Sequence, residues 1–171
     1  MNTNHRLGVI ITIATVALAV ATAAAAQTGA QQALAKALAP VSFSLESGMS
    51  AAEAQGTPIS AKFEMEDNKL QLSVYTMKGA AFSEVVVDHA TGKVVKTEPI
   101  TAGEDLAAAK AQSAAMSKAK GSLRSAVEAA VKSHAGFRAV SAVPAMKAGQ
   151  RVATIRLVKG TTFTTVSEKL D

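Results

Sequence analysis

Hydrophobic and polar positions change pattern sharply along the chain. Residues 7–20 (LGVIITIATVALAV) form an uncharged apolar run, preceded by a short polar stretch with Arg6 and followed by alanines up to Ala26. Further on, the apolar positions become periodic. Ile59, Ala61, Phe63 and Met65 alternate with Ser60, Lys62, Glu64 and Glu66, a period of two that predicts a half-buried strand. Glu66-Asp67-Asn68-Lys69 predicts a turn, because Asp and Asn tolerate left-handed backbone. Leu70, Leu72 and Val74 predict a second strand, residues 82–88 a third and residues 93–97 a short fourth. Lys78-Gly79 and residues 88–92 supply the intervening turns. Residues 137–146, 151–159 and 162–169 predict three more strands. Alternation is less clean in the middle one, and Pro144 in the first points to an edge or a bulge.

Helical spacing fills the gaps. Residues 31–39 predict a short helix stopped by Pro40. Thr101-Ala102-Gly103-Glu104 has the form of a capping box. Behind it, Leu106, Ala109, Ser113 and Met116 form a seam of mostly small residues. Glu104 and Asp105 stand at the expected positive end of that helix, with Lys118 and Lys120 expected near its negative end. Gly121-Ser122 predicts a break, and residues 123–133 a further helix with Leu123, Val127, Ala130 and Val131 on one face. Arg124, Glu128 and Lys132 recur at spacings of four on the other face and read as a solvated, salt-bridged surface.

The pattern also repeats. Residues 74–85 (VYTMKGAAFSEV) align with residues 155–166 (IRLVKGTTFTTV) at an offset of 81, sharing Lys-Gly, Phe and the closing Val. Ile59-Ser60-Ala61 aligns with Val140-Ser141-Ala142 at the same offset. Ser44-Leu45 and Ser122-Leu123 precede the two copies at a spacing of 78, so three residues of insertion or deletion separate them. Self-similarity at a fixed period is a statement about architecture before it is one about function. The expected fold class is α+β: two tandem repeats, each a helix packed on a three- to four-stranded antiparallel sheet, the second without a fourth strand. The corresponding segments are 1–26 as a signal peptide, 27–43 as an N-terminal helical segment, 44–97 as repeat one, 98–120 as a connecting helix and 121–171 as repeat two.

The leader changes what the rest can be. A basic start, an apolar middle and small residues before Gln27 are the features of a secretory signal cleaved after Ala26. The alternative is an uncleaved anchor, for which the run is short and alanine-rich at its end. No cysteine stands at the junction, which excludes a diacylglycerol-modified lipoprotein. Removing 26 of 171 residues leaves 145, enough for one domain or two small repeats sharing a core. Of 18 basic residues the leader holds only Arg6, so 17 face 13 acidic ones, a mild +4. The expected location is the periplasm or the exterior, with no stable membrane insertion once the leader is removed.

Composition and motif spacing restrict the chemistry. Without cysteine there is no thiol catalysis and no thiolate metal site. One Tyr and no Trp leave no stacking platform, which argues against nucleic acid as a partner. His5 leaves with the signal, and His89 and His134 show no zinc-ligand spacing. No nucleophile elbow, P-loop or dinucleotide fingerprint appears, so no catalytic residue and no cofactor is assigned. The candidate surface is Glu64, Glu66 and Asp67 at the first hairpin tip. These carboxylates either offer oxygen ligands to calcium or form a solvated hairpin beside Lys62 and Lys69, and they lack the spaced acidic loop of a dedicated calcium site.

The helix–strand–strand–strand order, ending in Val85-Val86-Val87-Asp88-His89-Ala90-Thr91-Gly92-Lys93-Val94, resembles the PepSY domain family. The second copy departs from that ending. The resemblance implies small α+β units, exported or membrane-associated, that are not themselves catalytic and that in some members restrain peptidases. The expected function is an exported, non-catalytic binding or regulatory protein whose sheet receives an envelope protein or peptide. The alternatives are a structural or stress-related envelope protein without a discrete ligand, and a weak metal or small-molecule binder.

Overall fold

Left-handed turn residues and serine caps punctuate this chain, and the elements lie between them. The computed structural model describes residues 29–171; the leader and its cleavage point lie outside them. Helix α1 covers residues 29–38. Helix α2 (Leu45–Ala52) starts at Ser44, whose hydroxyl accepts the Ser47 amide at 3.1 Å. Helix α4 (Leu123–Ser133) starts the same way, with Ser122 accepting the Ser125 amide at 3.0 Å. Such caps satisfy amides that have no partner inside the helix. Between them come strands β1 (Thr57–Glu66), β2 (Lys69–Lys78), β3 (Ala81–Val87) and β4 (Val94–Pro99) and helix α3 (Gly103–Met116). Strands β5 (Arg138–Lys147), β6 (Gln150–Lys159) and β7 (Thr162–Lys169) follow α4. Asp67 and Asn68, at φ 48° and 60°, make the two-residue turn from β1 to β2.

All seven strands form one antiparallel sheet in the order β4-β3-β2-β1-β5-β6-β7. The α+β class therefore stands, and the sheets expected for the two segments are joined edge to edge. The junction is a short pairing of β1 with β5, Ala61 opposite Ala142 and Lys62 opposite Ser141. Registers on the two sides of this junction coincide at a difference of 81. Glu66 faces Lys69 and Lys147 faces Gln150; Leu72 faces Val87 and Ala153 faces Glu168. The registers also break at matching places, between Pro58 and Ser60 in β1 and between Ala139 and Ser141 in β5. Ala61 and Ala142, which face each other at the junction, are themselves 81 apart.

Both halves feed one core. Leu38 of α1, Leu45 and Met49 of α2, and Leu123 and Val127 of α4 pack on Phe63, Leu72, Val74, Val85, Ile155 and Leu157 of the sheet. Gly48 lets α2 sit close, because a Cβ there would collide with the buried Leu72 side chain. From β5, the Arg138 guanidinium donates to the carbonyls of Leu38, Val41 and Phe43, pinning the segment that leaves α1.

On the opposite face lies α3. Val74 belongs to the main core, whereas its neighbour Tyr75 joins a smaller cluster with Ile59 and Ala109 of α3. Strict alternation would have put Ile59 with Ala61 and Phe63. The bulge after Pro58 turns it to the α3 side, because an extra residue reverses the pleat locally. Beside it, Ser60 donates to Gln112 of α3 at 2.8 Å. Two expectations for α3 fail. The chain enters the helix through Gly103 at φ 72°, so Ala102 takes the N-cap position and the capping box does not form. The helix ends at Met116, which leaves Lys118 and Lys120 beyond its last turn. At Pro144, β5 has already left its pairing with β1, so the missing amide costs no ladder bond on that side.

Replacing Ala61 or Ala142 by Leu should overfill the junction, destabilising the fold by about 1–3 kcal/mol in urea titrations. Because one core spans both halves, each variant should lower the midpoint of a single transition. Two separated transitions would contradict the shared core.

Candidate functional site

The part of the α3 face that the helix leaves open, over β2, β3 and β4, carries its polar side chains in rows, because residues opposite one another across neighbouring strands share a face. One row runs from Tyr75 on β2 through Glu84 on β3 to Glu98 on β4. The next runs from Lys62 on β1 through Ser73 and Val86 to Lys96. Glu64 and Glu66 extend β1 beyond it, with Gln71 opposite Glu64. Asp105, in the first turn of α3, closes the end of the groove, which encloses about 300 Å³.

Five carboxylates and two lysines line this groove: Glu64, Glu66, Glu84, Glu98 and Asp105 against Lys62 and Lys96. In a chain with a formal charge of +5, this patch is net acidic. Lys62 pairs with Glu64 at 2.7 Å and Lys96 with Glu98 at 2.8 Å. Lys96 and Glu98 are open to water and Lys62–Glu64 partly so, and the solvent screens both pairs. The Glu98 hydrogen bond, and then its charge, hold the Lys96 ammonium pKa above its ordinary value. The Tyr75 hydroxyl donates to Asp105 Oδ1 at 2.8 Å, the one side-chain hydrogen bond from the groove to α3. Burial first, then the Asp105 bond and charge, then Glu84 and Glu64, raise the Tyr75 pKa well above the usual phenol value.

The candidate residues divide. Glu64 and Glu66 lie together in the groove, as their shared strand face requires. Asp67 occupies the turn and lines a second hollow of about 320 Å³ with Asp88, His89 and Val95, and Glu66 borders both hollows. Among the described residues, no group of three or more His, Asp or Glu side chains is placed to hold a metal ion. His134 is the C-terminal cap of α4, with Nδ1 2.8 Å from the Ala130 carbonyl and its ring edge-on to Phe137. The Asp88–Val94 stretch builds a turn. Asp88 Oδ1 accepts the amides of Ala90 and Thr91 at 2.7 and 3.3 Å, and Gly92 takes φ 71°. Those amide bonds pull the Asp88 carboxyl pKa down, the Ala90 bond most.

A third hollow was not foreseen in the sequence. Past Lys62, β1 and β5 separate, and a cavity of about 680 Å³ opens between Leu34 of α1, Phe63 and Met65 of β1, and Arg156 and Phe163. Arg156 stacks over Phe163, 4.3 Å from the ring centroid. The only signal for it was the repeated Ile-Ser-Ala and Val-Ser-Ala triplets, which mark where the ladders shift. Its width depends on a pairing that periodicity does not specify. No family model, curated protein or solved structure matches the chain. Among the described residues, no helix is long and apolar enough to cross a membrane.

Tyr75 is the chain's one tyrosine, and there is no tryptophan, so tyrosinate absorbance reports it alone. Its ionisation midpoint in the folded protein should lie above 10.0 and fall towards that value in Asp105→Asn. The folded state disfavours tyrosinate, so stability should be intact below about pH 10 and decline above it. A wild-type midpoint at the ordinary value would contradict the Tyr75–Asp105 contact.

Proposed function

We propose that this chain is an exported, non-catalytic binding protein of the PepSY kind, built from two tandem repeats joined edge to edge. Its sheet receives an envelope protein or peptide and restrains it, a peptidase being one such target. The observation that carries this reading is the continuous seven-stranded sheet with β4 and β7 at its two edges. Edges and a half-covered face are the surfaces that sheet proteins use for recognition, since their backbone groups and alternating side chains remain open to a partner. The coincident registers at a difference of 81 support the repeat. Support for export comes from the basic start, apolar run and small residues before Gln27. The geometry of the polar groups supports binding in preference to catalysis. Glu64 and Glu98 are held by Lys62 and Lys96, and the Tyr75 hydroxyl keeps its proton in a hydrogen bond to Asp105.

Expressed with its leader, the protein recovered outside the cytoplasm should have the mass of a chain that begins at Gln27. Immobilised in that form, it should retain an envelope partner at stoichiometric yield and slow a peptidase of the same compartment when that partner is one. An uncleaved, cytoplasmic product, or a column that retains nothing, would count decisively against the reading.

A further inference from the structure

The two edges of the sheet are built differently. At one edge, β4 ends in Pro99, which lacks an amide, and its side chains Lys96 and Glu98 are paired with each other. Its ladder with β3 shifts between Val86 and Val87. Proline, charge and bulge are the devices that keep an edge from accepting another strand. At the other edge, β7 runs for eight residues without proline or glycine, and its ladder with β6 is unbroken from Thr162 to Lys169. Among the described residues, no strand pairs with its outer side.

The same sheet shows what such an edge accepts. β7 stands to β6 as β3 stands to β2, residue for residue at a difference of 81, and β3 carries β4 on its outer side. Carried across, the β4 register sets a ligand residue in the place of Val94 opposite Glu168, as Val94 lies opposite Val87. Lys96, Thr97 and Glu98 map opposite Ser167, Val166 and Thr165 in the same way. One substitution between the halves changes the chemistry. Where β3 presents the buried Val87, β7 presents the half-buried Glu168, which has no ion pair among the described residues. A valine matches the first position, and a cation matches the second.

We propose that the outer edge of β7 binds an extended peptide segment, antiparallel and in the register β4 takes on β3, with a basic residue opposite Glu168. This rests on the binding reading above and specifies its partner: an unfolded or loop segment in extended form, selected by one Lys or Arg at a fixed position. Backbone bonding supplies affinity along the edge, and the Glu168 pair supplies register.

The probe is a blocked synthetic peptide with the sequence of residues 93–100, carrying Val94→Lys or Val94→Glu. Added to the purified protein, the Val94→Lys peptide should slow amide exchange along Thr162–Lys169 and not along Val94–Pro99. It should bind about fivefold more tightly than the Val94→Glu peptide. Glu168→Lys should reverse that order, and because Glu168 is half-buried, a retained thermal transition checks that the variant is folded. Absence of any peptide-dependent protection at millimolar concentration would overturn the proposal. So would protection at β4 instead, or equal affinity for the two peptides in both proteins. Should the peptides fail while Glu168→Lys still retains an envelope partner at wild-type yield, the edge assignment falls and the broader binding function survives. Loss of every partner from the wild type removes that function itself.

Discussion

Everything in this fold hangs on two alanine methyl groups. Ala61 and Ala142 face each other where β1 meets β5, and both are buried. Each half has too few strands and helices to enclose an apolar face alone. A sheet stabilises itself by covering its apolar side, and small domains bury a smaller fraction of their surface than large ones. Joining the halves lets α2 and α4 close over one continuous layer of Phe63, Leu72, Val74, Ile155 and Leu157.

The short length of that junction matters as much as its presence. Because only Ala61–Lys62 and Ser141–Ala142 pair, the strands part on either side. On one side α1 bridges the opening, and Arg138 ties the chain beyond α1 to β5 through three carbonyls. On the other, Met49, Leu123 and Arg124 line a hollow of about 360 Å³. There Arg124 donates to Ser50 at 2.7 Å and lies 3.5 Å from Glu53, so the helices α2 and α4 are joined by polar contacts. Arg124 also reaches Glu128 at 3.8 Å, which makes the charged stripe of α4 in part a strut between halves.

Local chemistry explains which features could be read from the residues. The Ser44 and Ser122 caps, the Lys-Gly turns with Gly79 and Gly160 at φ 62° and 58°, and the hairpin at Asp67-Asn68 are decided within a few residues. Helix α4 ends where its periodicity ends. The repeat spacing of 81 was likewise visible, because it needs only self-comparison. What depended on distant partners was not. Nothing in residues 57–66 says that β1 will have β5 as its second neighbour, and the bulge that moves Ile59 to the α3 side is invisible to a count of alternation. The grouping of Glu64 and Glu66 with Glu84, Glu98 and Asp105 needed the strand order and the side on which α3 lies. The tight turn gives Asp67 a hollow of its own with Asp88 and His89, which Glu66 shares.

Registers on the two sides of the Ala61–Ala142 junction coincide at a difference of 81. In an assembly of two identical subunits, any change to a surface residue appears twice, and the two outer margins must remain alike. Here the two halves share backbone registers but belong to a single chain, so each position can vary without its counterpart. Val87 and Glu168 stand at matching registers with different chemistry, and α3 covers one side of the sheet only. A single chain with matching registers is free of a dimer's obligation to be the same at both ends.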